Sequence, residues 1–252
     1  MLQDWCHITF LHWRYPAASL QRFLPPGLTV DVHDSTAWLG ITPFVVQKLR
    51  PPFLPSVPWL STFPETNVRT YVIGPDGSRG IWFFSLEAAR RLAVAGARAL
   101  YGLPYRWASM TARKEGELLH YESHRDEGGS TAATRVTVQI GPPVPSTPLE
   151  IFLTARFRLF SFRNNRLWFA DVEHNPWPLR AARVERLEQT LLPSLLLEEP
   201  PDHPLVHYSR GVRTRISILQ PITASIPLER AGAVFFGAPH EPAALKAFLR
   251  LE

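Results

Sequence analysis

The sequence predicts a mainly β protein of the α+β class, an antiparallel sheet or barrel with a few peripheral helices. Three observations carry that prediction. Proline takes 25 of 252 positions, about twice its ordinary share, and cuts the chain into segments that suit strands and loops better than long helices. Apolar and polar residues alternate at a period of two in several places. Patterns with a helical period are few.

Ala17 to Leu24 is a short helix candidate. From Leu49 to Ser61 the run LRPPFLPSVPWLS is proline-rich, aromatic and long, the composition of a loop that either covers a binding site or braces the fold. FPETNVRTYVIG, Phe63 to Gly74, reads as a strand with Glu65, Asn67, Arg69 and Tyr71 on one face and Thr66, Val68, Thr70 and Val72 on the other. SLEAARRLAVAGARALY, Ser85 to Tyr101, reads as the main helix. Ser85 suits its N-cap, Glu87 its first turn, and Gly102 with Pro104 its end. Leu86, Ala89, Ala93, Ala97 and Leu100 form a stripe of mostly small residues that can lie close against a sheet.

Further along, Glu117 to Arg125 is a strand that sets His120, Glu122 and His124 against Tyr121, Ser123 and Arg125. Val136, Val138 and Ile140 alternate with Arg135, Thr137 and Gln139. Leu149 to Phe162 reads as a long β-rich run, followed by a turn at Arg163-Asn164-Asn165 and a strand from Arg166 to Val172. Arg183 to Leu192 is a second short helix candidate, Val212 to Leu219 alternates again, and Ala243 to Leu249 reads as a closing helix. No repeat or linker calls for a second domain, so residues 1–252 are expected to form one.

The 27 basic residues give a net charge of +5 and a pI near 9.7. Only Lys48, Lys114 and Lys246 are lysines; the arginines are scattered singly from Arg14 to Arg250. A nucleic-acid binder concentrates its charge on a stripe or tail, so nucleic acid is not an expected partner. The single cysteine, Cys6, rules out an internal disulfide framework. The opening MLQDWCHITF has an acid at Asp4 and no long apolar core, unlike a signal peptide. No window approaches the roughly 18 apolar residues of a membrane span. A cytoplasmic location without membrane contact is the expectation.

The motifs FLHWRYP, LPPGL, AWLGITPF, FPETNVRTYV, GIWFFSL, ARALYGLPY, YESHR, LEIFLTARFRLF and HNPWPL occur in that order. Together they resemble the YqjF-like family, the domain of unknown function 2071, from about Trp5 to Tyr208. The resemblance implies a fold similar to acetoacetate decarboxylase, a cone-like antiparallel barrel with a few outer helices. In acetoacetate decarboxylases a strand with a catalytic Glu precedes a helix, and that helix ends in a turn bearing a lysine pair. On this resemblance the Glu falls on Glu65 and the lysine pair on Tyr105 and Arg106. The arginine for the substrate carboxylate falls near Cys6, where there is none. The resemblance thus keeps the acid and loses the Schiff-base nucleophile. An imine needs a primary amine with a depressed pKa, which neither a phenol nor a guanidinium can supply. Lys114, in the polar run RKEGE, reads as a hairpin tip in water, and Lys48 stands beside the proline-rich loop.

His120, Glu122 and His124 have the spacing of metal ligands on a strand. The family-like set is the opposite face, so Tyr121 and Arg125 are turned inward and no metal or cofactor is expected. His174, before the rigid corner Asn175-Pro176-Trp177-Pro178, reads as a structural anchor. There is no GxSxG, GxGxxG, Walker loop or CxxC. If the sheet closes, Glu65, Asn67, Arg69 and Tyr71 point into its lumen. Glu65 and Tyr105 are then the candidate catalytic residues. Asn67, Arg69, Tyr71, Arg106, Tyr121 and Arg125 are the candidate substrate-binding residues. Two functions remain open: an acid–base enzyme acting on a small carboxylate or carbonyl compound, and a non-catalytic binding or sensing protein. Besides a small-molecule ligand, a second copy of the chain stays open as a partner.

Overall fold

A computed structural model of the chain describes residues 1–127, 129–200 and 202–222. The first half contains β1 (Leu2–Tyr15), α1 (Ala17–Gln21), β2 (Thr29–Val30), β3 (Val32–His33), β4 (Thr36–Arg50), α2 (Pro58–Ser61), β5 (Phe63–Ile73), β6 (Arg79–Ala88), α3 (Arg91–Tyr101) and β7 (Tyr105–Trp107). The rest contains β8 (Ser109–Glu115), β9 (Leu118–Glu127), β10 (Ser130–Pro143), α4 (Pro148–Thr154), β11 (Arg158–Arg163), β12 (Arg166–His174), β13 (Leu179–Gln189), α5 (Leu191–Ser194), β14 (Leu205–Ile216) and β15 (Gln220–Pro221).

The strands form one sheet, ordered β15-β12-β11-β6-β5-β4-β1-β14-β13-β10-β9-β8. β12 also pairs with β14, at Val172↔Ile216 through His174↔Thr214. The path from β12 through β11, β6, β5, β4, β1 and β14 therefore returns to its start. The expectation of an antiparallel sheet holds for most pairs, but the sheet is mixed: β6 runs parallel to β11 and to β7. Two hairpins use paired residues at positive φ, Asp34-Ser35 between β3 and β4 and Asn164-Asn165 between β11 and β12. Asn and Asp tolerate that region, and such turns match the twist of the flanking strands.

β5 lies between β4 and β6 and is buried on both faces. Val68, Thr70 and Val72 face one side; Glu65, Asn67, Arg69 and Tyr71 face the other, none more than 7% exposed. Neither side meets bulk water, so the charged groups of β5 need partners inside the fold.

Three expected elements differ. Ser85 to Ala88 continue β6, and the helix begins at Arg91. Ser85 does not cap it; its hydroxyl donates to Glu87 Oε1 at 2.6 Å in the buried sheet. The expected C-terminus is correct, with Gly102 at φ 60 donating to Arg98 O. The run from Leu149 opens as α4 because Thr147 and Glu150 form a capping box around Pro148; only Arg158–Arg163 is strand. Arg183 to Leu192 lies mostly in β13, where pairing with β10 overrides helix propensity. The helix expected at Ala243 to Leu249 lies outside the described residues.

Candidate functional site

A cavity of about 380 Å³ opens against β5. Glu65, Asn67 and Arg69 reach it from three alternate positions of that strand. Tyr105 reaches it from β7, whose parallel register on β6 sets Tyr105 beside Leu86. Arg98 Nε fixes this turn by donating to Tyr105 O at 2.7 Å. Most of the remaining wall is apolar, including Trp5, Phe44, Phe63, Phe83, Leu103 and Trp177. The pocket is thus an apolar chamber with a few convergent polar groups, a usual build for a small-molecule site, rather than a polar one.

Glu65 is 5% exposed, and its described hydrogen bonds come from the Tyr105 hydroxyl, at 3.2 Å to Oε1 and 3.3 Å to Oε2. Among the described residues no cation pairs with it within 4 Å. Burial pushes its carboxyl up to about 8, against the opposing pull of the Tyr105 bond. Burial and the neighbouring Glu65 hold the Tyr105 phenol well above its ordinary range, so it remains a donor.

Arg69 is also buried, and among the described residues no carboxylate pairs with it. Its Nη2 reaches Leu153 O at 3.4 Å, its guanidinium lies over the rings of Phe10 and Tyr71, and its Nε finds no partner. Gly40, opposite Arg69 on β4, makes this approach possible: a Cβ there would stand 3.0 Å from the His12 ring and 3.6 Å from Arg69 Cγ. Asn67 presents to the same space a buried Oδ1 that meets no partner among the described residues. Glu65 and Arg69 are about 13 Å apart along the strand, too far for a direct pair.

The other expected site residues lie elsewhere. The Tyr71 hydroxyl donates to Leu153 O at 2.7 Å and meets His12 Nε2 at 2.6 Å, so the phenol is spent inside the core. The Tyr121 hydroxyl bonds His7 O and Thr9 on the side facing β1. Arg125 is turned inward as expected, but it forms a fully buried ion pair with Glu87 at 2.5 Å and bonds Ser130 and Ser194. Arg106 does not line the cavity; it lines a neighbouring recess of about 280 Å³ with Arg98, Tyr105 and Arg163. His120 bonds Thr137, Glu122 and His124 are exposed, and no metal-binding group of three or more such residues occurs among the described residues.

Sequence reasoning missed Arg156, Trp5 and Trp177 as wall residues. The HNPWPL corner held the signal for the last: Trp177 stacks on Trp5 at an interplanar angle of 5° and donates to Thr154 O. His174 bonds Asn175 O as an anchor would, and also lines the cavity. The proline-rich loop covers the chamber, contributing Leu54, Pro55 and Val57, with Leu60 from α2. Lys48 is exposed and paired with Asp4, Lys114 is exposed, and Lys246 lies outside the described residues. Among the described residues no lysine lines the cavity.

This strand order is that of an acetoacetate decarboxylase-like fold. The acetoacetate decarboxylase of Legionella pneumophila superposes with a TM-score of 0.62 at 13% identity, covering 88% of each chain. The enduracididine biosynthesis enzyme MppR, complexed with pyruvate, superposes equally well at 12% identity, covering 87% of this chain and 89% of its own. At the level of sequence, residues 2–213 match the model of the DUF2071 family of uncharacterised conserved proteins. The protein YqjF of Bacillus subtilis is 36% identical over 212 residues, 83% of this chain and 87% of that one. The chain belongs to the DUF2071 family.

Proposed function

We propose that the chain binds a small carboxylate or carbonyl compound in this cavity and moves a proton on it, with Glu65 as acid–base group and no lysine imine. Arg69 holds the anionic end of the ligand. Tyr105 donates to Glu65 and steadies its carboxylate form. One observation carries this reading: a buried carboxyl with no cation, and a buried guanidinium with no anion, among the described residues line one chamber, on the same face of one strand. A buried guanidinium needs an anion, which a ligand carboxylate supplies, while the buried carboxyl is held largely as its neutral acid and is free to exchange a proton with the ligand. Glu65, titrating near 8, is mostly the acid at neutral pH and so is poised to donate. In an enolisation its carboxylate form takes a proton from the carbon beside a carbonyl, and its acid form returns one. The atoms balance without another reactant.

The likeness in fold to an acetoacetate decarboxylase and to a biosynthesis enzyme complexed with pyruvate supports a small acid as ligand. A second reading, a non-catalytic binding protein on the same fold, is supported by the predominantly apolar wall.

A metabolite panel screened by thermal shift tests both. A charge-assisted contact to Arg contributes roughly 1.5–3 kcal/mol, so Arg69→Ala is expected to weaken anionic hits about ten- to a hundredfold. Glu65→Gln keeps the shape, spares binding and abolishes turnover. If Arg69→Ala binds the hits as tightly as wild type, the site assignment fails. If wild type converts no hit on long incubation, the binding-protein reading replaces the enzymatic one.

A further inference from the structure

The geometry points to an amphipathic monocarboxylate with an extended apolar body as the ligand of this cavity. We infer that its carboxylate sits at Arg69 and its apolar end lies between the proline-rich loop and α3. The inference rests on the reading that Arg69 anchors an anion, and adds what the rest of the molecule must be.

The cavity is polar on one wall and apolar at its mouth. Arg69 lies six residues beyond Phe63, about 20 Å farther along β5 from the loop. An acid of two or three carbons seated at Arg69 would leave most of that length unfilled. In between, β5 presents Glu65 and Asn67, with Tyr105 beside them, and the remaining walls are Phe44, Phe63, Phe83, Leu86 and Leu103. At the mouth, the loop and α2 bring Leu54, Pro55, Val57 and Leu60. From the helix come Leu92, Gly96 and Leu100, spaced four apart and so on one face of α3.

These mouth residues are not core. Leu92 and Leu100 are each 63% exposed, Leu54 is 55% exposed, and the neighbouring loop residue Trp59 is 65% exposed. Only Val94 of α3 is buried. An apolar rim of this kind is what a ligand with an apolar end would cover. The half-buried Arg50 also lines the mouth, but its guanidinium donates to Leu54 O at 3.4 Å. A ligand with a second carboxylate would have to draw it away from that carbonyl.

Each buried methylene strengthens binding about fourfold. Calorimetric titration of the full chain with butyrate, octanoate, dodecanoate and hexadecanoate is therefore expected to show affinity rising about fourfold per methylene until the mouth is filled. Decanol, which has the chain without the charge, is expected to bind at least about tenfold more weakly than decanoate. Gly96 supplies the sharper test. A Cβ built there meets nothing within 4 Å, and Phe is a better helix residue than Gly. Gly96→Phe should place a ring in the mouth, weakening hexadecanoate about tenfold and butyrate less than about twofold. Leu100→Asp, at an exposed position, should do the same by removing apolar surface from the mouth and setting a hydrated charge beside the alkyl end.

Three outcomes overturn the inference while leaving Arg69 as anchor: pyruvate or acetoacetate binding as tightly as hexadecanoate, hexadecanedioate binding more tightly than hexadecanoate, or both mouth variants weakening all acids alike. An affinity for every acid that is unchanged in Arg69→Ala removes the anchor itself, and with it the underlying reading.

Discussion

Two buried Glu and Arg sets, their carboxylates on the adjacent strands β6 and β5, are built oppositely. Glu87 on β6 and Arg125 on β9 meet at 2.5 Å, with Ser85, Ser130 and Ser194 around them. Glu65 and Arg69 share β5 and cannot meet, being about 13 Å apart. Thr66 is the register partner of Glu87, so the two carboxylates come from neighbouring strand positions that point to opposite sides of the sheet. Across the sheet, charge is neutralised within the protein and its role is structural. In the chamber, charge is left open toward a space lined by apolar groups. The same residue types thus mark a brace in one place and a candidate ligand site in the other. Partner geometry makes the difference, not burial.

The largest expected effect comes from breaking the brace. Arg125→Met leaves Glu87 buried without its cation and should destabilise the fold by about 3–5 kcal/mol, read by urea denaturation. The double variant Arg125→Met, Glu87→Met should recover most of that loss, because it removes both charges together. A single variant as stable as wild type would show that the pair is no brace.

Glu65→Gln should act in the opposite direction. Folding raises this carboxyl from its ordinary 4.5 to about 8. Between those values the folded state holds a proton that the unfolded state has released, so wild-type stability falls as pH rises. Gln carries no such penalty. The variant should match wild type below about pH 4.5 and exceed it by a few kcal/mol above about pH 8, at about 1.4 kcal/mol per unit of pKa shift. Denaturation curves for the two proteins that run parallel across this window would show that Glu65 is not held neutral by burial.

A smaller loss is expected for Ser85→Ala, about 1.5 kcal/mol, since its hydroxyl bonds a carboxylate rather than a helix end. A loss confined to the helicity of α3 in hydrogen exchange would restore Ser85 as a cap. Smallest in stability, yet sharpest for the site, is Tyr105→Phe. The Tyr105 bond lowers the Glu65 titration, so its removal should move that titration upward. Carboxyl ¹³C NMR against pH reads the shift, and no movement would detach Tyr105 from Glu65.

Much of this was legible in the chain. Alternation placed β5, β9, β10 and β12. The family-like motif order indicated the fold, and Gly102 marked the end of α3. The candidate site was legible only in part. Glu65, Asn67, Arg69 and Tyr105 come together as their strand faces and the family resemblance suggest. Tyr71, Tyr121 and Arg125 are buried on the expected faces, but each is consumed by a partner from a distant segment: Leu153, His7 and Glu87. Strand parity tells which side a residue faces and not what it meets there. The missed helix α4 had a local signal in Thr147-Pro148-x-Glu150. The misread β13 had none, since only pairing with β10 makes it a strand.

By itself, the sequence determined which residues are strand-borne, which faces they share, and that the two alternative lysine positions, Lys48 and Lys114, sit in polar surroundings. Those properties follow from local geometry and side-chain chemistry. Tertiary structure alone decided that β12 returns to β14, that the proline-rich loop and α3 frame one mouth, and that one Glu/Arg set is paired while the other is not. The physical reason is that pairing needs atoms within a few ångströms of each other. The chain brings Glu87 and Arg125 together across 38 residues and holds Glu65 and Arg69 apart across four.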